Sequence, residues 1–287
     1  MDLFIGGRSL GFYYGVIPQS YLLLNDGTGK FTDVTQEYNK ELGHAGFITN
    51  AVFTDLNKDS YPDLVITKEW DGIDAFISNK GVFTKQTLTS NKGWWNFILP
   101  CDLDNDGDTD FIAGNLGLNS RLQATKDQPV HMYYNDFDGN GRKEQILTYY
   151  LDNKEIPFAN KDELQRQMPL LKKKFLYAEE FAKAPLSDLF GEDKLKSAGL
   201  FTADYFSSVV LINNGNMQFD VKPLPMQAQL TTLRDAAVVD ANGDSLPDIL
   251  LGENFYGNNI EMGRYDAGYG TILINSGKNE FIASALN

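Results

Sequence analysis

An Asp-rich pattern of nine residues, present four times, constrains the fold of this chain more than any other feature. Its clearest copy is Asp102-Leu-Asp-Asn-Asp-Gly-Asp-Thr-Asp110, in which five carboxylates occupy alternate positions. Carboxylates placed so close together repel one another unless a cation lies between them. Ca²⁺ prefers about six to eight oxygen ligands, which such a loop supplies. The pattern therefore predicts a calcium site on a short loop.

The other three copies keep Asp or Asn at positions 1, 3 and 5 and a carboxylate at position 9. We number the copies along the chain as loop 1 (55–63), loop 2 (102–110), loop 3 (136–144) and loop 4 (240–248). Positions 1, 3, 5, 7 and 9 are the candidate ligands, and they predict three to four Ca²⁺ sites. These residues are Asp55, Asn57, Asp59, Tyr61, Asp63, Asp102, Asp104, Asp106, Asp108, Asp110, Asp136, Asp138, Asn140, Arg142, Glu144, Asp240, Asn242, Asp244, Leu246 and Asp248.

The residues around the loops exclude an EF-hand, which needs a glutamate at position 12 and helices on both sides. Position 12 is Ile66, Ala113, Leu147 or Leu251, all apolar. The flanking runs are short and rich in β-branched residues, so each loop is predicted to connect the two strands of a β-hairpin. An alternative remains open, namely that the loops are metal-free turns.

A second hairpin motif accompanies the loops, in which an apolar strand ends in Asn and a Gly-containing turn follows. Residues 21–31, 75–83, 209–219 and 271–281 follow this pattern. Asn and Gly adopt the positive φ values that tight hairpins require. A loop hairpin and a second hairpin together form a four-stranded antiparallel sheet. Because loops 1 and 2 start 47 residues apart, the repeat predicts an all-β propeller with such sheets as its blades.

Two irregularities interrupt the repeat. Loop 3 starts only 34 residues after loop 2, so we expect it to cap the outer hairpin of the blade that begins near Trp94, with strands 131–134 and 145–150. Residues 160–198 have apolar side chains at helical spacing and predict a small helical insertion, divided into two or three helices by Pro169 and Pro185.

The start of the sequence aligns with the end of a loop. Asp2-Leu-Phe-Ile resembles Asp63-Leu-Val-Ile, so Asp2 is expected to be position 9 of a loop whose other residues are absent. We therefore expect residues 1–287 to be a single domain that is a piece of a longer protein, with Met1 an added or internal start. By this count about five blades are visible, and the first is incomplete.

Composition narrows the partners. The net charge of the chain is −14, and much of this negative charge lies on loop carboxylates that are predicted to bind metal. An acidic chain of this kind is not expected to bind nucleic acid. No apolar run approaches the roughly 18 residues of a membrane span. The single cysteine, Cys101, is predicted to be a buried thiol.

The loops and the Asn-Asp-Gly-x-Gly-x-Phe turn at 25–31 resemble FG-GAP/VCBS repeats, which build the calcium-binding β-propellers of integrin α-chains and many secreted bacterial proteins. The segments 114–119 and 263–268 are similar to large surface proteins of Bacteroidetes that pair such repeats with an ASPIC/UnbV (CRTAC-like) domain. The resemblance implies calcium, an extracellular, periplasmic or outer-membrane location, and binding to a protein or a glycan.

The function that these observations favour is recognition or assembly without catalysis. Candidate ligand contacts are Trp70, Trp94 and Trp95, whose rings suit sugars and protein surfaces, and the polar loop residues Arg264, Tyr265 and Asp266. The structural alternative for the tryptophans is packing between blades. For Arg264, Tyr265 and Asp266 it is a salt-bridged turn. A polysaccharide lyase or glycosidase is an alternative function, with His44 and His131 as possible bases. A purely structural spacer is the third possible function.

Overall fold

The structure of the chain, a computed structural model, describes residues 2–11, 13–259 and 262–285. Met1, which is expected to be an added or internal start, lies outside these residues. The chain divides into two compact units. Unit 1 comprises Met1–Leu10, Ile17–Arg121 and Phe206–Asn287, and unit 2 comprises Gly11–Val16 and Leu122–Tyr205.

Strands dominate the described residues, as the sequence predicts. The strands are β1 Leu3–Ile5, β2 Tyr21–Asn25, β3 Phe31–Asp33, β4 Phe47–Thr54, β5 Asp63–Asn79, β6 Val82–Trp94, β7 Phe97–Cys101, β8 Asp110–Gly114, β9 Val130–Asn135, β10 Glu144–Leu151, β11 Lys154–Pro157, β12 Gly199–Ala203, β13 Val209–Asn213, β14 Phe219–Pro223, β15 Leu233–Val239, β16 Asp248–Glu253, β17 Thr271–Asn275 and β18 Phe281–Ala285.

Helices are short. The α-helices are α1 Thr35–Tyr38, α2 Lys161–Gln167, α3 Leu170–Lys174, α4 Ala178–Lys183, α5 Leu186–Phe190 and α6 Glu192–Lys196, and 3₁₀ turns cover Lys40–His44 and Met226–Gln229. Among the described residues, no helix has the length and apolar character needed to cross a membrane.

Unit 1 contains four antiparallel sheets, which we call sheets 1 to 4. Sheet 1 has the order β1-β2-β3, sheet 2 β4-β5-β6, sheet 3 β14-β13-β8-β7 and sheet 4 β15-β16-β17-β18. Each of the three loops in this unit connects two paired strands, as predicted: loop 1 joins β4 to β5, loop 2 joins β7 to β8 and loop 4 joins β15 to β16. The predicted second hairpins are present as β2–β3, β5–β6, β13–β14 and β17–β18.

The long strand β5 folds back on itself near Trp70. The backbone N–H of Ser78 lies 2.7 Å from Oδ1 of Asp63, although 15 residues separate them along the chain. Trp70 has a φ of +67°, which a straight strand does not contain. The two arms of β5 therefore lie side by side, and sheet 2 matches the four-strand arrangement of sheets 3 and 4.

The core of unit 1 consists of apolar layers between neighbouring sheets. One cluster joins sheets 3 and 4 and includes the fully buried Leu103, Leu233, Ile249 and Leu273. Another joins sheets 1 and 2. Both follow from the strand period of two, which points alternate residues to opposite faces of each sheet. The described residues form antiparallel sheets but do not by themselves define a closed ring.

Unit 2 contains one sheet, in the order β11-β10-β9-β12, and helices α2 to α6. Loop 3 connects β9 to β10, as predicted. The helices pack apolar residues that the sequence had placed at helical spacing, including Leu164, Met168 and Leu171, against Ile146. Five short helices lie between Lys161 and Lys196, within the range where the sequence predicts two or three.

The prediction that the loop 3 hairpin completes the blade starting near Trp94 is wrong. In sheet 3, β8 pairs with β13, so that Val209 lies opposite Ala113 and Leu211 opposite Phe111. The fully buried run of β8 needs an apolar neighbour, which β13 provides. The segment between them, Leu122–Tyr205, forms the body of unit 2 and is longer than the insertion expected at 160–198.

Candidate metal centres

All four loops share one backbone conformation. In each loop, positions 4 and 6 have a positive φ. The residues at these positions are Lys58 and Ser60, Asn105 and Gly107, Gly139 and Gly141, and Gly243 and Ser245. A positive φ costs a non-glycine residue about 1–2 kcal/mol, so its recurrence at Lys58 and Ser245 shows that the loop geometry outweighs local preference. The four loops are copies of the same turn.

The carboxylate at position 1 holds the turn together. Oδ1 of Asp240 accepts the N–H of Gly243 at 2.7 Å and Oδ2 accepts that of Ser245 at 3.1 Å. In loops 1 and 3, Asp55 and Asp136 accept the N–H groups of positions 5 and 6. These contacts give position 1 a structural role whether or not a cation is bound.

The carboxylate at position 9 connects the loop to its sheet. Asp63, Asp110 and Asp248 are fully buried. In every loop one oxygen accepts the N–H of position 2, at 2.9 Å from Leu56, 2.8 Å from Leu103, 2.9 Å from Phe137 and 2.8 Å from Ala241. The sequence predicts that position 9 is a metal ligand. In the structure its carboxylate also accepts hydrogen bonds from buried backbone N–H groups.

In unit 1 the other oxygen of position 9 accepts an N–H from the second hairpin. The donors are Ser78 at 2.7 Å, Asn213 at 2.8 Å and Asn275 at 2.8 Å. The side chains of Asn213 and Asn275 in turn accept the N–H of the glycine two residues later. One buried carboxylate thus links the two hairpins of each sheet.

Loop 2 brings three carboxylates together. Asp102, Asp104 and Asp106 each offer an oxygen, and these oxygens lie within 4.8 Å of one another. In the described part of the chain, Oδ1 of Asp102 and Oδ1 of Asp104 are buried and have no hydrogen-bond partner. A buried carboxylate oxygen without a donor is costly. A bound cation removes this cost, so the donor set of loop 2 fits a hard metal ion such as Ca²⁺.

Neighbouring sheets contribute to loop 2. The ammonium group of Lys58 in loop 1 lies 2.5 Å from Asp108, and the pKa of Lys58 is raised by its hydrogen bond to Asp108 and by the nearby loop 2 carboxylates. Asn105 donates to the carbonyl of Ser245 in loop 4 at 3.2 Å. Loops 1, 2 and 4 therefore lie next to one another at the same end of unit 1.

Asn279 is a site residue that sequence reasoning missed. It lies in the turn between β17 and β18, and its amide donates to Oδ2 of Asp104 at 3.1 Å. Its own Oδ1 is buried and without a partner in the described residues. Only the three-dimensional structure reveals this contact, because 175 residues separate the pair along the chain.

Electrostatics in loop 2 favour a cation. Burial raises the pKa of Asp110 to about 6, the N–H groups of Asn213 and Leu103 oppose this rise, and the charges of Asp104 and Asp106 add to it. The raised value reflects the unfavourable free energy of several negative charges in a partly buried loop. A divalent ion bound beside them would favour their charged forms.

Loop 3, in unit 2, forms the second acidic cluster. Asp136, Asp138 and Glu144 offer oxygens within 4.8 Å of one another. Burial raises the pKa of Glu144, and the charges of Asp138 and Asp136 raise it further, against the N–H of Phe137. The residues of loop 3 therefore also fit a cation.

Loops 1 and 4 differ in having Asn at position 3. The amides of Asn57 and Asn242 donate to Asp59 and Asp244 at 3.0 and 2.8 Å, a bond that the aspartates at position 3 of loops 2 and 3 cannot donate. Among the described residues, groups of three acidic or metal-binding side chains with ligand atoms within 4.8 Å of one another occur in loops 2 and 3 only. Loops 1 and 4 are closed by their own hydrogen bonds.

The predicted tryptophan contacts are largely internal. Trp95 is fully buried and donates to the carbonyl of Asn91 at 3.1 Å, and Trp70 is also buried. Trp94 packs edge to face on Trp70 and against Phe206, with ring centroids 5.1 and 5.2 Å apart. The expectation that Trp70 and Trp95 present exposed ring faces is therefore wrong, because both side chains are buried.

Of the predicted polar loop residues, Tyr265 is buried and Arg264 is exposed. Tyr265 is buried, pairs with Phe255 and contacts Ser120 through its hydroxyl at 3.0 Å. The side chain of Arg264 is 84% exposed and lies 3.7 Å from Asp266. Tyr256 and Tyr269, in the same connection between β16 and β17, are 73% and 92% exposed. Sequence reasoning missed these tyrosines, since nothing local distinguishes them from buried ones.

Neither histidine belongs to the loop sites. His44 is exposed at the end of a 3₁₀ turn. Nδ1 of His131 lies 2.8 Å from Oε1 of Glu155, which also accepts the hydroxyl of Thr148 at 2.6 Å. The pair joins β9 to β11 within the unit 2 sheet.

Replacing Asn279 by glycine is expected to weaken calcium binding to loop 2 by about tenfold, because Asn279 orients Asp104. Glycine suits the φ of +58° at this position, so the turn is retained. Isothermal titration calorimetry of the chelator-treated protein measures the change. Met217→Gly is the matched control, since Met217 occupies the equivalent turn of sheet 3 with a φ of +56°. Equal affinities in both variants would exclude a role for Asn279.

Comparison with known families supports the repeat. The model of the FG-GAP-like repeat matches residues 55–113, which extend from the start of loop 1 through most of β8. The match covers loops 1 and 2 and the whole of β5. No curated protein is significantly similar to the chain.

Proposed function

We propose that this chain is a calcium-stabilised recognition or assembly module without catalytic activity, built from FG-GAP-like repeats that form blades of a β-propeller. The observation that carries the proposal is the pair of buried, unpartnered oxygens of Asp102 and Asp104 in loop 2. The FG-GAP-like match at residues 55–113 supports a repeat of the recognition type. Loop 2 is the first calcium site and loop 3 the second.

Calcium would be held by loop 2 through Asp102, Asp104 and Asp106 and by loop 3 through Asp136, Asp138 and Glu144. When bound, the ion neutralises the clustered carboxylates and stiffens the hairpin. At ten times the dissociation constant, each site would add about 1.4 kcal/mol to the free energy of unfolding. Extracellular calcium modules have dissociation constants of the order of 10⁻⁴–10⁻³ M, so we propose that the protein works outside the cytoplasm, at a cell surface or in the periplasm.

The connection between β16 and β17 is the proposed contact surface for a protein or glycan. It carries the exposed rings of Tyr256 and Tyr269 and the exposed guanidinium of Arg264. Aromatic rings and arginine are enriched in binding surfaces because they combine apolar area with hydrogen bonding. In sheet 4 this connection lies at the opposite end from loop 4, so ligand binding there would not compete with calcium at the loops.

Titration of the chelator-treated protein with Ca²⁺ tests the proposal. We expect about two equivalents to bind, with a higher melting temperature and little response to Mg²⁺. Asp104→Asn is expected to remove one equivalent. The control is Asp220→Asn, which makes the same change on an exposed position of β14 and should bind as the parent does. An absence of calcium heat together with an unchanged melting curve would refute the calcium part of the proposal.

A further inference from the structure

The short segment that contains α3 and the turn to α4 exposes large apolar side chains. Leu176 and Tyr177, which form the turn, are 73% and 68% exposed, and Leu170, at the start of α3, is 54% exposed. Single exposed apolar residues are common on protein surfaces. Three of them within eight consecutive positions form a local apolar cluster on the surface of unit 2, and such clusters mark interaction sites.

The core of unit 2 explains which side of α3 is exposed. Leu171 and Phe175 are buried among the apolar residues of that core. Because they are four positions apart, they lie on the same side of the helix. Lys172 and Lys173, between them in the sequence, lie on the exposed side. The helix therefore presents lysines, together with Leu170, to the solvent.

The same segment is basic, although the chain as a whole is acidic. Residues 161–177 carry five Lys or Arg and two Asp or Glu, whereas the net charge of the whole chain is −14. Lys161 donates to the backbone carbonyl of Leu176 at 2.8 Å. This bond fixes the turn and places a further ammonium group beside the exposed Leu176. We call Leu170, Lys172, Lys173, Leu176 and Tyr177 the basic apolar patch.

The acidic residues that follow the turn are engaged within α4. Glu179 lies 2.5 Å from Lys183, and Glu180 accepts the backbone N–H of Tyr177 at 3.4 Å. Within the described residues, neither carboxylate forms an ion pair with Lys172 or Lys173. The two ammonium groups of the patch are therefore available to an external anion.

We infer that the basic apolar patch binds the surface of a membrane that contains anionic lipids. Leu176 and Tyr177 enter the interfacial layer, where an aromatic ring with a polar hydroxyl is favoured. The lysines lie at the level of the lipid phosphates, which attract them. The chain would lie on such a membrane rather than span it.

The size of the patch favours a lipid surface over a protein partner. A stable protein interface takes about 20–30 residues on each side, far more than the patch offers. A few apolar side chains combined with lysines are enough for reversible binding to an anionic bilayer, because the two contributions add. This inference goes beyond the proposed binding of a protein or glycan and does not depend on the calcium loops.

The test is co-sedimentation of the full chain with vesicles in chelator at low salt. Vesicles of equal parts phosphatidylcholine and phosphatidylglycerol are compared with vesicles of phosphatidylcholine alone. We expect saturable binding to the anionic vesicles, at least about tenfold weaker binding to the neutral ones, and weaker binding as salt is added. Chelator prevents Ca²⁺ from bridging acidic loops to lipid phosphates, so failure of this inference and failure of the calcium proposal are recognised separately.

A charge variant tests the lysines of the patch. Lys172→Gln/Lys173→Gln is expected to weaken binding to anionic vesicles by about tenfold or more, because two attractive charges are lost. Lys154→Gln/Lys196→Gln is the matched control, since it removes the same charge from exposed positions elsewhere in unit 2. The control should bind nearly as the parent does.

An apolar variant tests the turn. Leu176→Ser is expected to weaken binding about tenfold, because a side chain that enters the interfacial layer loses most of its apolar area. Leu151→Ser is the control, since Leu151 is 53% exposed in unit 2 and lies outside the patch. An unchanged urea midpoint shows that each variant is folded.

Four results would overturn the inference. The first is no saturable binding to the anionic vesicles, and the second is equal affinity for the neutral ones. The third is binding that the patch variants weaken no more than their controls do, which would place the lipid contact elsewhere. The fourth is concentration-dependent self-association that is lost in Leu176→Ser and occurs without vesicle binding. A second copy of the chain would then cover the patch.

Discussion

Replacing Asp248 by asparagine is expected to lower the free energy of unfolding of unit 1 by about 2–4 kcal/mol. Asp248 is fully buried, and its two oxygens accept the N–H groups of Asn275 and Ala241, both at 2.8 Å. Asparagine has the same shape, but its amide nitrogen cannot accept. One buried N–H would therefore lose its partner, and the link between the two hairpins of sheet 4 would weaken.

Urea denaturation followed by tryptophan fluorescence measures this change in unit 1 alone, because the three tryptophans of the chain all lie in that unit. Asp244→Asn is the matched control, since it makes the same chemical change at an exposed position of the same loop. Both variants are measured in chelator. A shift no larger for Asp248→Asn than for Asp244→Asn would contradict the structural role of position 9.

The hairpins and helices could be predicted because they depend on residues that are close together in the sequence. Each predicted hairpin loop lies between paired strands, and its turn depends on Asp, Asn and Gly residues within nine positions. The helices after Lys161 follow equally from apolar periodicity, and Asn160 caps the first of them through its side chain.

Long-range pairing was not predictable in the same way. The prediction for loop 3 assumed that consecutive hairpins share a sheet, which is the commoner arrangement. Here β8 pairs instead with β13, and in the sequence the main segment of unit 2 lies between these two strands. Nothing in the run Phe111-Ile-Ala113 distinguishes Val209–Leu211 from the strands of the nearer hairpin, since both are apolar.

In the candidate metal sites, too, local features could be predicted from the sequence and long-range contacts could not. The Asp-rich pattern predicted a site in each of the four loops, and among the described residues acidic clusters form in loops 2 and 3. The dual use of position 9 and the contribution of Asn279 depend on which donors approach from other strands. The burial of Trp70 and Trp95 likewise depends on tertiary packing, so their exposure could not be judged from residue type.

The second large effect is expected at Lys68, whose removal should cost unit 1 about 3–5 kcal/mol. Lys68 and Asp74 are almost fully buried, and the ammonium group lies 2.5 Å from Asp74 and 2.6 Å from Asp71. Lys68→Met would leave Asp74 with Lys85, at 3.1 Å, as its remaining cationic neighbour. A buried carboxylate that loses its nearest cation is strongly destabilised.

The double variant Lys68→Met/Asp74→Leu is expected to recover most of that loss. Replacing both ions by apolar residues of similar volume removes the desolvation penalty along with the attraction. Arg8→Met is the control, because Arg8 forms an ion pair with Glu69 but its side chain is 62% exposed, and it should cost less than about 1 kcal/mol. A double variant as unstable as Lys68→Met would argue that packing, rather than charge, makes Lys68 important.

Acid titration gives an independent check on the same pair. Burial alone would raise the pKa of Asp74, but the charge and hydrogen bond of Lys68, with Thr87 and Lys85, outweigh it and hold the pKa below its ordinary value. A lowered folded-state pKa stabilises the protein above the unfolded pKa of about 4, and this contribution is lost as the pH falls further. The stability difference between the parent and the double variant should therefore shift in favour of the variant below about pH 4, because only the parent must protonate a paired Asp74. A difference that stays constant from neutral pH to pH 3 would mean that Asp74 contributes no such pH-dependent term.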